Sequence, residues 1–266
     1  MNKLDKLKNE IRKLESAVVA FSGGVDSSFL LKIVRDTLPK KNILAVTATS
    51  ETYTKEELDK AKKFTRKLGI KHNIVSTNEL KDKNFNKNPT DRCYYCKKEL
   101  FGRLTRIVKE KKLKTVIDAS NYDDRLDYRP GSIAKKEFKV ISPLMEAKLT
   151  KQDIRIYSKR LKLKTWDEPS MACLASRIPY GEKIEKTTLK KINLAESYIR
   201  KQGIKEVRVR CHDSIARIEV GKKDIKRFVK KSFCDKIIKH LKTLGFRYIA
   251  LDLEGYRTGS MNEVLK

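Results

Sequence analysis

The chain has 266 residues, of which 39% are hydrophobic, so it is long enough for one large or two modest domains and apolar enough to bury a core. This composition excludes a disordered tail protein. Lysine and arginine outnumber aspartate and glutamate by 63 to 34, which gives a formal net charge of +29. The basic residues are spread over the whole length, so the charge fits both a polyanionic partner and a plain lysine coat on the surface.

Apolar, strand-like segments alternate with segments of helical period in the first part of the chain. The predicted strands are 17–21, 43–49, 73–77, 115–119 and 139–143. This alternation predicts an α/β domain over residues 1–148. We expect a Rossmann-like parallel sheet of five strands, with helices on both faces and a ligand crevice at the carboxyl ends of the strands.

The pattern changes from about Leu149 onward. A helix capped by Thr150 comes first, then an irregular stretch over 165–183 and a long helix that runs through Ile199. Three strands follow at 206–211, 215–220 and 248–253. These elements predict a second, smaller α+β domain over residues 149–266.

The start of the chain and its cysteines indicate the compartment. Residues 1–15 are charged and amphipathic and lack the apolar run of a signal peptide, and no later segment approaches the about 18 uncharged apolar residues of a membrane span. We therefore expect a cytoplasmic protein without a membrane segment. Five cysteines, an odd number, argue against a disulfide framework and leave metal binding, thiol chemistry or burial as their uses.

The segment Ser22-Gly23-Gly24-Val25-Asp26-Ser27-Ser28 lies between the first predicted strand and a predicted helix over 29–38. Its glycines allow positive φ and close approach to an anion, while backbone N–H groups and the helix N-terminus present positive partial charge. Ser22, Ser27 and Ser28 add hydroxyl donors. Asp26 is unsuited to touching phosphate but suits a Mg²⁺ ion that bridges phosphate oxygens. The segment predicts a phosphate-binding loop; a glycine turn with a serine cap would explain only part of it.

Further polar residues lie where the crevice is expected. Thr47 is near the end of the second predicted strand, and Asn121, Asp123 and Asp124 follow the fourth, with Arg129 close behind. We interpret Thr47, Asn121, Asp124 and Arg129 as candidate contacts to ribose or metal. A solvated turn explains the segment after the fourth strand equally well.

Three cysteines are placed for chemistry. Cys93 and Cys96 have the two-residue gap that lets both sulfurs bind one metal centre, or each other, at a helix start. Cys173 lies in an irregular segment with Arg177, whose charge would favour a thiolate. The three do not complete a structural zinc site, but they match an iron–sulfur cluster with one open iron; burial in a core is the alternative. Cys211 and Cys234 fall at core positions and are predicted to be inert.

The loop at 22–28 resembles the motif of the PP-loop ATP pyrophosphatases, the adenine nucleotide alpha hydrolase-like enzymes that split ATP into AMP and pyrophosphate. Together with five further segments it resembles one family, LarE, over nearly the whole chain. The segments are DRCYYCKKELF from Asp91, SNYDDRLDYRPG from Ser120, PSMACLASRIPYGE from Pro169, VRVRCH from Val207 and GYRTGSMNE from Gly255.

LarE proteins are ATP-dependent sulfur transferases, so the resemblance implies an adenylating enzyme of nickel-pincer nucleotide synthesis. ATP would adenylate a carboxylate of pyridinium-3,5-biscarboxylic acid mononucleotide with release of pyrophosphate, and sulfur would then displace AMP to leave a thiocarboxylate. In one branch of the family a cysteine matching Cys173 gives up its own sulfur and becomes dehydroalanine. In the other, three cysteines hold a [4Fe-4S] cluster that delivers sulfide. Because Cys93, Cys96 and Cys173 are all present, the resemblance favours the cluster type, with an external sulfide donor and the hexameric assembly common in the family.

The resemblance also assigns a substrate side. Arg177, Arg208 and Arg210 match a basic cluster for the substrate's carboxylates and phosphate, and the last two share a strand face because side chains alternate along a strand. Glu196 matches an acidic position of the family's active site, as a metal ligand or a base, beside Cys173. Without the resemblance, these would be surface charges of a strongly basic protein.

Other functions compete with this interpretation. A tRNA thiolation enzyme of the same superfamily would suit the basic charge, but no RNA-binding module is recognisable, so nucleic acid is disfavoured without being excluded. An amide-forming NAD or GMP synthetase would carry the same loop but leaves the three cysteines unexplained. A non-enzymatic protein with a zinc knuckle would bind RNA with strong salt dependence and without ATP turnover.

Overall fold

The computed structural model describes residues 2–125, 128–169, 172–257 and 259–265. The strands are β1 (Ala17–Ala20), β2 (Ile43–Thr49), β3 (Lys71–Ser76), β4 (Thr115–Ile117), β5 (Val207–His212), β6 (Ile215–Val220) and β7 (Tyr248–Leu251). The α-helices are α1 (Lys3–Lys13), α2 (Val25–Thr37), α3 (Lys55–Leu68), α4 (Lys83–Asn86), α5 (Arg92–Glu110), α6 (Gly131–Glu137), α7 (Pro143–Glu146), α8 (Lys151–Arg160), α9 (Lys186–Lys201), α10 (Lys222–Ile225) and α11 (Lys231–Thr243). The 3-10 helices span Lys40–Asn42, Glu79–Lys81, Tyr122–Arg125, Leu174–Arg177, Lys226–Val229 and Ser260–Leu265. Within the described ranges, no helix combines the length and the apolarity needed to cross a bilayer.

The chain forms two compact units. The first comprises Met1–Glu79 and Asp91–Met171, and the second comprises Leu80–Thr90 and Ala172–Lys266. This division differs from the boundary expected after residue 148, because α8 packs within the first unit: the Tyr157 ring stacks on Phe29 of α2 with centroids 6.2 Å apart.

The first unit has the predicted α/β fold. Its sheet is parallel, with strand order β3-β2-β1-β4. Alternate residues of β1 face opposite sides: Val19 packs in the core formed with α1, α2 and α8, whereas Val18 packs in a core formed with α5 and α6. Both faces of the sheet are therefore covered by helices, as predicted.

The predicted fifth strand at 139–143 is wrong. Only Ile141 pairs with the sheet, through a single parallel bridge to Ile117 of β4. Lys139 has a φ of 51°, in the left-handed region, and Pro143 begins helix α7. A strand over 139–143 therefore cannot form, because its first residue has a left-handed turn conformation and its last residue begins a helix.

The second unit contains a three-stranded sheet in the order β5-β6-β7, antiparallel between β5 and β6 and parallel between β6 and β7. All three predicted strands form, and the last ends at Leu251 rather than at residue 253. The segment before Asp91 joins this unit through Asn88, which is fully buried and whose backbone carbonyl accepts a 2.9 Å hydrogen bond from the Gly181 N–H. The chain thus contributes residues 80–90 to the second unit before it returns to the first.

Candidate active site

The predicted phosphate-binding loop lies between β1 and α2, as expected. Gly23 has a φ of +78°, a conformation that L side chains rarely adopt, and a Cβ there would lie 3.4 Å from the Cβ of Ala61 on α3. Gly24 is the N-cap of α2 and has no side chain to cap the first N–H groups of the helix. These donors and the positive end of the helix therefore present a site for an anion.

The three loop serines have different environments. Ser22 is exposed, and its Oγ lies 3.0 Å from the Oγ of Ser27. Ser27 also lies 3.2 Å from the Gly24 carbonyl, and the fully buried Ser28 donates to the Gly23 carbonyl at 3.3 Å. Ser27 and Ser28 thus stabilise the turn, whereas Ser22 is the serine that solvent reaches.

Asp26 lies in the first turn of α2. Its Oδ2 accepts a 2.6 Å hydrogen bond from the Nζ of Lys151 at the start of α8. Its Oδ1 is buried and has no hydrogen-bond partner among the described residues. A buried carboxylate oxygen without a donor fits a cation ligand, so Asp26 suits the Mg²⁺ role expected from the sequence.

Thr47 lies on β2, next to strand β1, which leads into the loop. The residue is fully buried, and its Oγ1 donates to the Phe21 carbonyl at 2.7 Å and lies 2.8 Å from His72 Nε2. Its hydroxyl is therefore engaged in holding the end of β1 rather than pointing to a nucleotide. His72 has no place in the sequence-based site, because a single histidine in a strand gives no signal of such a contact.

Asn121, Asp124 and Arg129 form one cluster in the first unit. The Asp124 carboxylate accepts the Asn121 N–H at 3.0 Å and lies 2.8 Å from the Arg129 guanidinium. Burial raises the pKa of Asp124, and the carboxylates of Asp26 and Asp118 add to the rise, against the opposing effect of Arg129. The predicted residues after β4 therefore share an electrostatic environment with Asp26 of the loop.

Asp118, whose charge acts on the pKa of Asp124, is a candidate site residue that is not among the positions predicted from the sequence. It directly follows β4, is 6% exposed, and accepts hydrogen bonds from Ser142 Oγ at 2.6 Å and Ser120 Oγ at 2.7 Å. Lys135 Nζ lies 3.8 Å away. Its position at the carboxyl end of a parallel strand is the signal that would have identified it.

Cys93 and Cys96 lie in the first two turns of α5. Cys93 is exposed and Cys96 is half-buried. The Cys96 thiol donates to Glu79 Oε1 at 3.7 Å, and the same oxygen accepts from Ser50 Oγ at 3.1 Å. Glu79 was not expected at this site, since it is 17 residues from Cys96 in sequence and belongs to a different element.

Cys173 is exposed and belongs to the second unit, immediately before the 3-10 turn Leu174–Arg177. The Arg177 guanidinium donates to the carbonyls of Ala172 at 2.8 Å and Cys173 at 3.1 Å. It also donates to both carboxylate oxygens of Glu196, at 2.8 and 3.2 Å. Arg177 therefore anchors the backbone of the cysteine segment onto α9.

Glu196 is 1% exposed and is surrounded by donors. Besides Arg177 it accepts from Arg200 at 3.1 Å and from the Val209 N–H of β5 at 3.1 Å. Burial alone would raise the pKa of Glu196, but Arg177, with Arg208 and Arg200, outweighs burial and lowers it. The lowered pKa favours the ionised carboxylate, and its hydrogen bonds to Arg177, Arg200 and the Val209 N–H fit a positioning role.

Arg208 and Arg210 are both buried on β5. Arg210 pairs with both oxygens of Glu219, at 2.9 and 2.7 Å, and donates to the Ser176 carbonyl at 2.7 Å. The Arg208 guanidinium lies 4.8 Å from the centre of the Tyr256 ring, and burial together with the charge of Arg177 lowers its pKa. The second unit thus brings together the predicted arginines around the segment that follows Cys173.

Glu219 also belongs to this cluster, although it is not among the positions predicted from the sequence. It lies on β6 directly opposite Arg208 in the strand register and is 1% exposed. Within each unit, the described residues contain no group of three or more histidine, cysteine or acidic side chains that could hold a metal ion.

Comparisons with known proteins cover nearly the whole chain. A sequence profile of the NAD synthase family matches residues 2–104. An uncharacterized protein of Synechocystis sp. is 40% identical over 264 residues, which cover 99% of this chain and 98% of that protein. The pyridinium-3,5-bisthiocarboxylic acid mononucleotide synthase of Lactiplantibacillus plantarum is 38% identical over 255 residues, 96% of this chain and 92% of the synthase. An uncharacterized protein of Methanocaldococcus jannaschii is 32% identical over 264 residues, 97% of this chain and 98% of that protein.

The profile match spans the loop at 22–28 and strands β1, β2 and β3, and together with the parallel sheet it supports the PP-loop fold predicted from the sequence. The similarity to the Lactiplantibacillus synthase extends well beyond this match, since it covers 96% of the chain and so includes most of the second unit. The chain is therefore an ATP-dependent enzyme of the PP-loop type and belongs to the LarE family, the family of the pyridinium-3,5-bisthiocarboxylic acid mononucleotide synthase.

Proposed function

We propose that this enzyme is a sulfur transferase that converts a carboxylate of pyridinium-3,5-biscarboxylic acid mononucleotide into a thiocarboxylate at the expense of ATP. The observation that carries the proposal is the 38% identity, over 96% of the chain, to a synthase named for the bisthiocarboxylic acid product. A tRNA substrate has no comparable support.

The first half-reaction is adenylation. A carboxylate oxygen of the substrate attacks the α-phosphorus of ATP, the bond from that phosphorus to the bridging oxygen breaks, and pyrophosphate leaves. The loop around Gly23 and the N-terminus of α2 would bind the phosphates through backbone N–H groups. Asp26 would hold a Mg²⁺ ion, which supplies charge neutralisation for the leaving pyrophosphate, and its buried Oδ1 supports that role.

The second half-reaction replaces oxygen by sulfur. A sulfur nucleophile adds to the acyl carbon of the adenylate, the bond to the AMP oxygen breaks, and AMP leaves with that electron pair. Cys93, Cys96 and Cys173 would hold a [4Fe-4S] cluster, which supplies inorganic sulfide for this step when bound. Two of these thiols lie three residues apart at the start of α5, and the third belongs to an exposed segment, so all three side chains suit thiolate ligands.

The arginine cluster of the second unit would recognise the substrate's anionic groups. Arg208 and Arg210 are the candidates for contact with its phosphate and carboxylates. Arg177 and Glu196 would hold the Cys173 segment and β5 in place, as their hydrogen bonds to the Ala172 carbonyl and the Val209 N–H support.

The test uses oxygen-free protein reconstituted with iron and sulfide, ATP and the biscarboxylic acid nucleotide. We expect about four irons per chain, pyrophosphate release, and a thiocarboxylate product by mass spectrometry. Asp26→Asn should lose pyrophosphate release while still loading iron. Cys173→Ala should keep pyrophosphate release while losing iron and thiolation, and Cys234→Ala, the control, should behave as wild type.

The outcomes separate the alternatives. Absence of the thiocarboxylate, with thiolation of tRNA in a parallel reaction that contains tRNA instead of the nucleotide, would contradict the proposed substrate. Loss of the elements of H₂S from Cys173 after turnover would show that the cysteine gives up its own sulfur and would overturn the cluster. Unchanged ATP cleavage in Asp26→Asn would remove Asp26 from the Mg²⁺ site.

A further inference from the structure

We propose that His72 is a positioning residue for ATP binding. Its hydrogen bonds stabilise the phosphate-binding loop through the end of β1 and through α3, and it does not touch the nucleotide. The proposal rests on the assignment of ATP to the loop at 22–28 and is independent of the sulfur-transfer step. The chain of contacts consists of Thr65, His72, Thr47 and the Phe21 carbonyl.

The hydrogen atoms in this series of contacts can be assigned by elimination. Thr47 Oγ1 lies 2.7 Å from the Phe21 carbonyl, and a carbonyl only accepts, so the single hydroxyl hydrogen of Thr47 is donated there. The same Oγ1 lies 2.8 Å from His72 Nε2. Thr47 must accept in this second bond, so His72 carries a hydrogen on Nε2.

The other ring nitrogen faces α3. His72 Nδ1 lies 3.1 Å from Thr65 Oγ1, which also lies 3.1 Å from the carbonyls of Ala61 and Lys62. Burial and the nearby charge of Lys62 lower the pKa of His72 and favour the neutral ring. In the neutral ring with hydrogen on Nε2, the Nδ1 atom accepts, so the Thr65 hydroxyl shares its hydrogen between this nitrogen and its own helix.

Both ends of the chain of contacts reach the loop. Phe21 directly precedes Ser22, and its carbonyl is the group that Thr47 holds. At the other end, Ala61 lies one helical turn before Thr65 and packs against Gly23, 3.4 Å from where a Cβ would be. The His72 ring therefore connects the strand that leads into the loop with the helix that packs on its turn.

Ring packing supports the same arrangement. The Phe21 ring meets the His72 ring edge-on at 6.0 Å and the Phe64 ring of α3 at 5.7 Å. The fully buried Thr47 hydroxyl contacts both the imidazole and the Phe21 carbonyl. His72 therefore acts on the loop through Thr47 and α3, and its loss would let the backbone N–H groups of the loop move from the positions that an anion needs.

The experiment compares His72→Gln with His72→Leu. The glutamine amide nitrogen can reach the position of Nε2 and donate to Thr47, whereas leucine fills space without a donor. We expect His72→Leu to raise the Kd for Mg·ATP about tenfold, since one hydrogen bond near a buried group is worth about 1.4 kcal/mol. His72→Gln keeps a donor to Thr47, so its Kd for Mg·ATP should stay within about threefold of the wild-type value. His240→Leu, which removes a ring stacked on Tyr198 in the second unit, is the matched control and should leave the Kd unchanged.

A double-mutant cycle distinguishes positioning from general stability. Thr47→Val removes the hydroxyl at nearly constant volume and should raise the Kd as His72→Leu does. The double variant should show no further rise in Kd, because both changes break the same series of hydrogen bonds. Should His72→Leu fold too poorly to measure, Thr47→Val and Thr65→Val carry the test. The proposal is overturned if His72→Leu binds ATP like wild type, if His72→Gln is no better than His72→Leu, or if the two effects add. Thiolation is not measured here, so failure would leave the proposed function intact.

Discussion

Glu196 illustrates how a buried carboxylate can support a site without contacting a substrate. Its oxygens accept from Arg177, from Arg200 and from the Val209 N–H. Burying an ion costs several kcal/mol unless it is paired and hydrogen-bonded, and the surrounding arginines would repel one another if the carboxylate were absent. The carboxylate thus connects the segment after Cys173, helix α9 and strand β5.

Removing this charge should destabilise the fold. Glu196→Gln should lower the free energy of unfolding by about 3–5 kcal/mol, because it leaves buried arginines uncompensated. Glu185→Gln is the control, since Glu185 forms an exposed pair with Lys183 at 3.3 Å and should cost no more than about 1 kcal/mol. Urea unfolding of both variants at neutral pH measures the difference.

The stability of the fold should also depend on pH through Glu196. Because the pKa of Glu196 is lower in the folded protein, the ionised carboxylate stabilises the fold above the ordinary pKa of glutamate, and this contribution is lost as pH falls through the folded-state pKa. Below about pH 5, wild type should therefore lose stability more steeply than Glu196→Gln. Parallel curves would show that the arginines do not stabilise the charge of Glu196.

At the scale of single residues, the sequence predicts only what neighbouring positions encode. The loop around Gly23 was predictable because the glycines, the preceding strand and the helix start are adjacent in sequence. The orientation of Thr47 was not, because its hydroxyl meets Phe21 only through the pairing of β1 with β2. Glu219 was missed for the same reason, since its partner Arg210 lies on another strand, whereas the position of Asp118 at the end of β4 was a signal that the sequence did contain.

Among the elements, the β1–α2 connection shows how a motif is divided between turn and helix. The sequence pattern predicts a helix that begins at Phe29, but α2 begins at Val25, so Asp26, Ser27 and Ser28 lie in its first turn. The polar residues Asp26, Ser27 and Ser28 are typical of a loop in sequence. In the structure, however, Gly24 is the N-cap and the helix begins directly after it. Of the two glycines in this connection, Gly23 alone has the positive φ that favours glycine.

A pair of glycines tests this element. Gly23 and Gly181 have φ values of +78° and +84°, so alanine strains the backbone at either position by about 1 kcal/mol. A Cβ at Gly181 would meet nothing within 4 Å, whereas at Gly23 it would contact Ala61. We expect Gly23→Ala to raise the Kd for Mg·ATP at least about tenfold, because relief of the strain turns the loop N–H groups away from the phosphates.

Gly181→Ala should bind ATP as wild type does and lose only a similar amount of stability. Calorimetric titration with Mg·ATP and thermal unfolding of both variants make the comparison. Equal ATP affinities for the two variants would contradict the role given to the Gly23 turn, whatever their melting temperatures.

The whole chain differs from a simple succession of two domains. Residues 80–90 belong to the second unit, and α8, after the expected boundary, belongs to the first. The composition gave no sign of this, because the bonds that recruit the segment, such as those from Gly181 and Ile184 to Asn88 and Asn86, join residues about a hundred positions apart. As a result Cys93 and Cys96 belong to one unit and Cys173 to the other.

This distribution of the cysteines makes the cluster proposal testable by alkylation. In the metal-free protein, iodoacetamide should modify the exposed Cys93 and Cys173 fastest and the buried Cys211 slowest, because burial raises the pKa of its thiol and shields it. Reconstitution with iron and sulfide should then protect Cys93, Cys96 and Cys173 together, since a thiolate bound to iron does not react as a free nucleophile.

Cys234 is the internal control for this experiment: it is half-buried, its thiol donates to the Phe228 carbonyl at 2.9 Å, and its reaction rate should be the same with and without iron. Peptide mass spectrometry after timed alkylation reads all the rates in one sample. Protection of Cys93 and Cys96 while Cys173 stays reactive would exclude Cys173 as a ligand, and would leave it as the thiol that gives up its own sulfur. Protection of all three thiols by iron and sulfide, with an unchanged rate at Cys234, is the result that the cluster proposal expects.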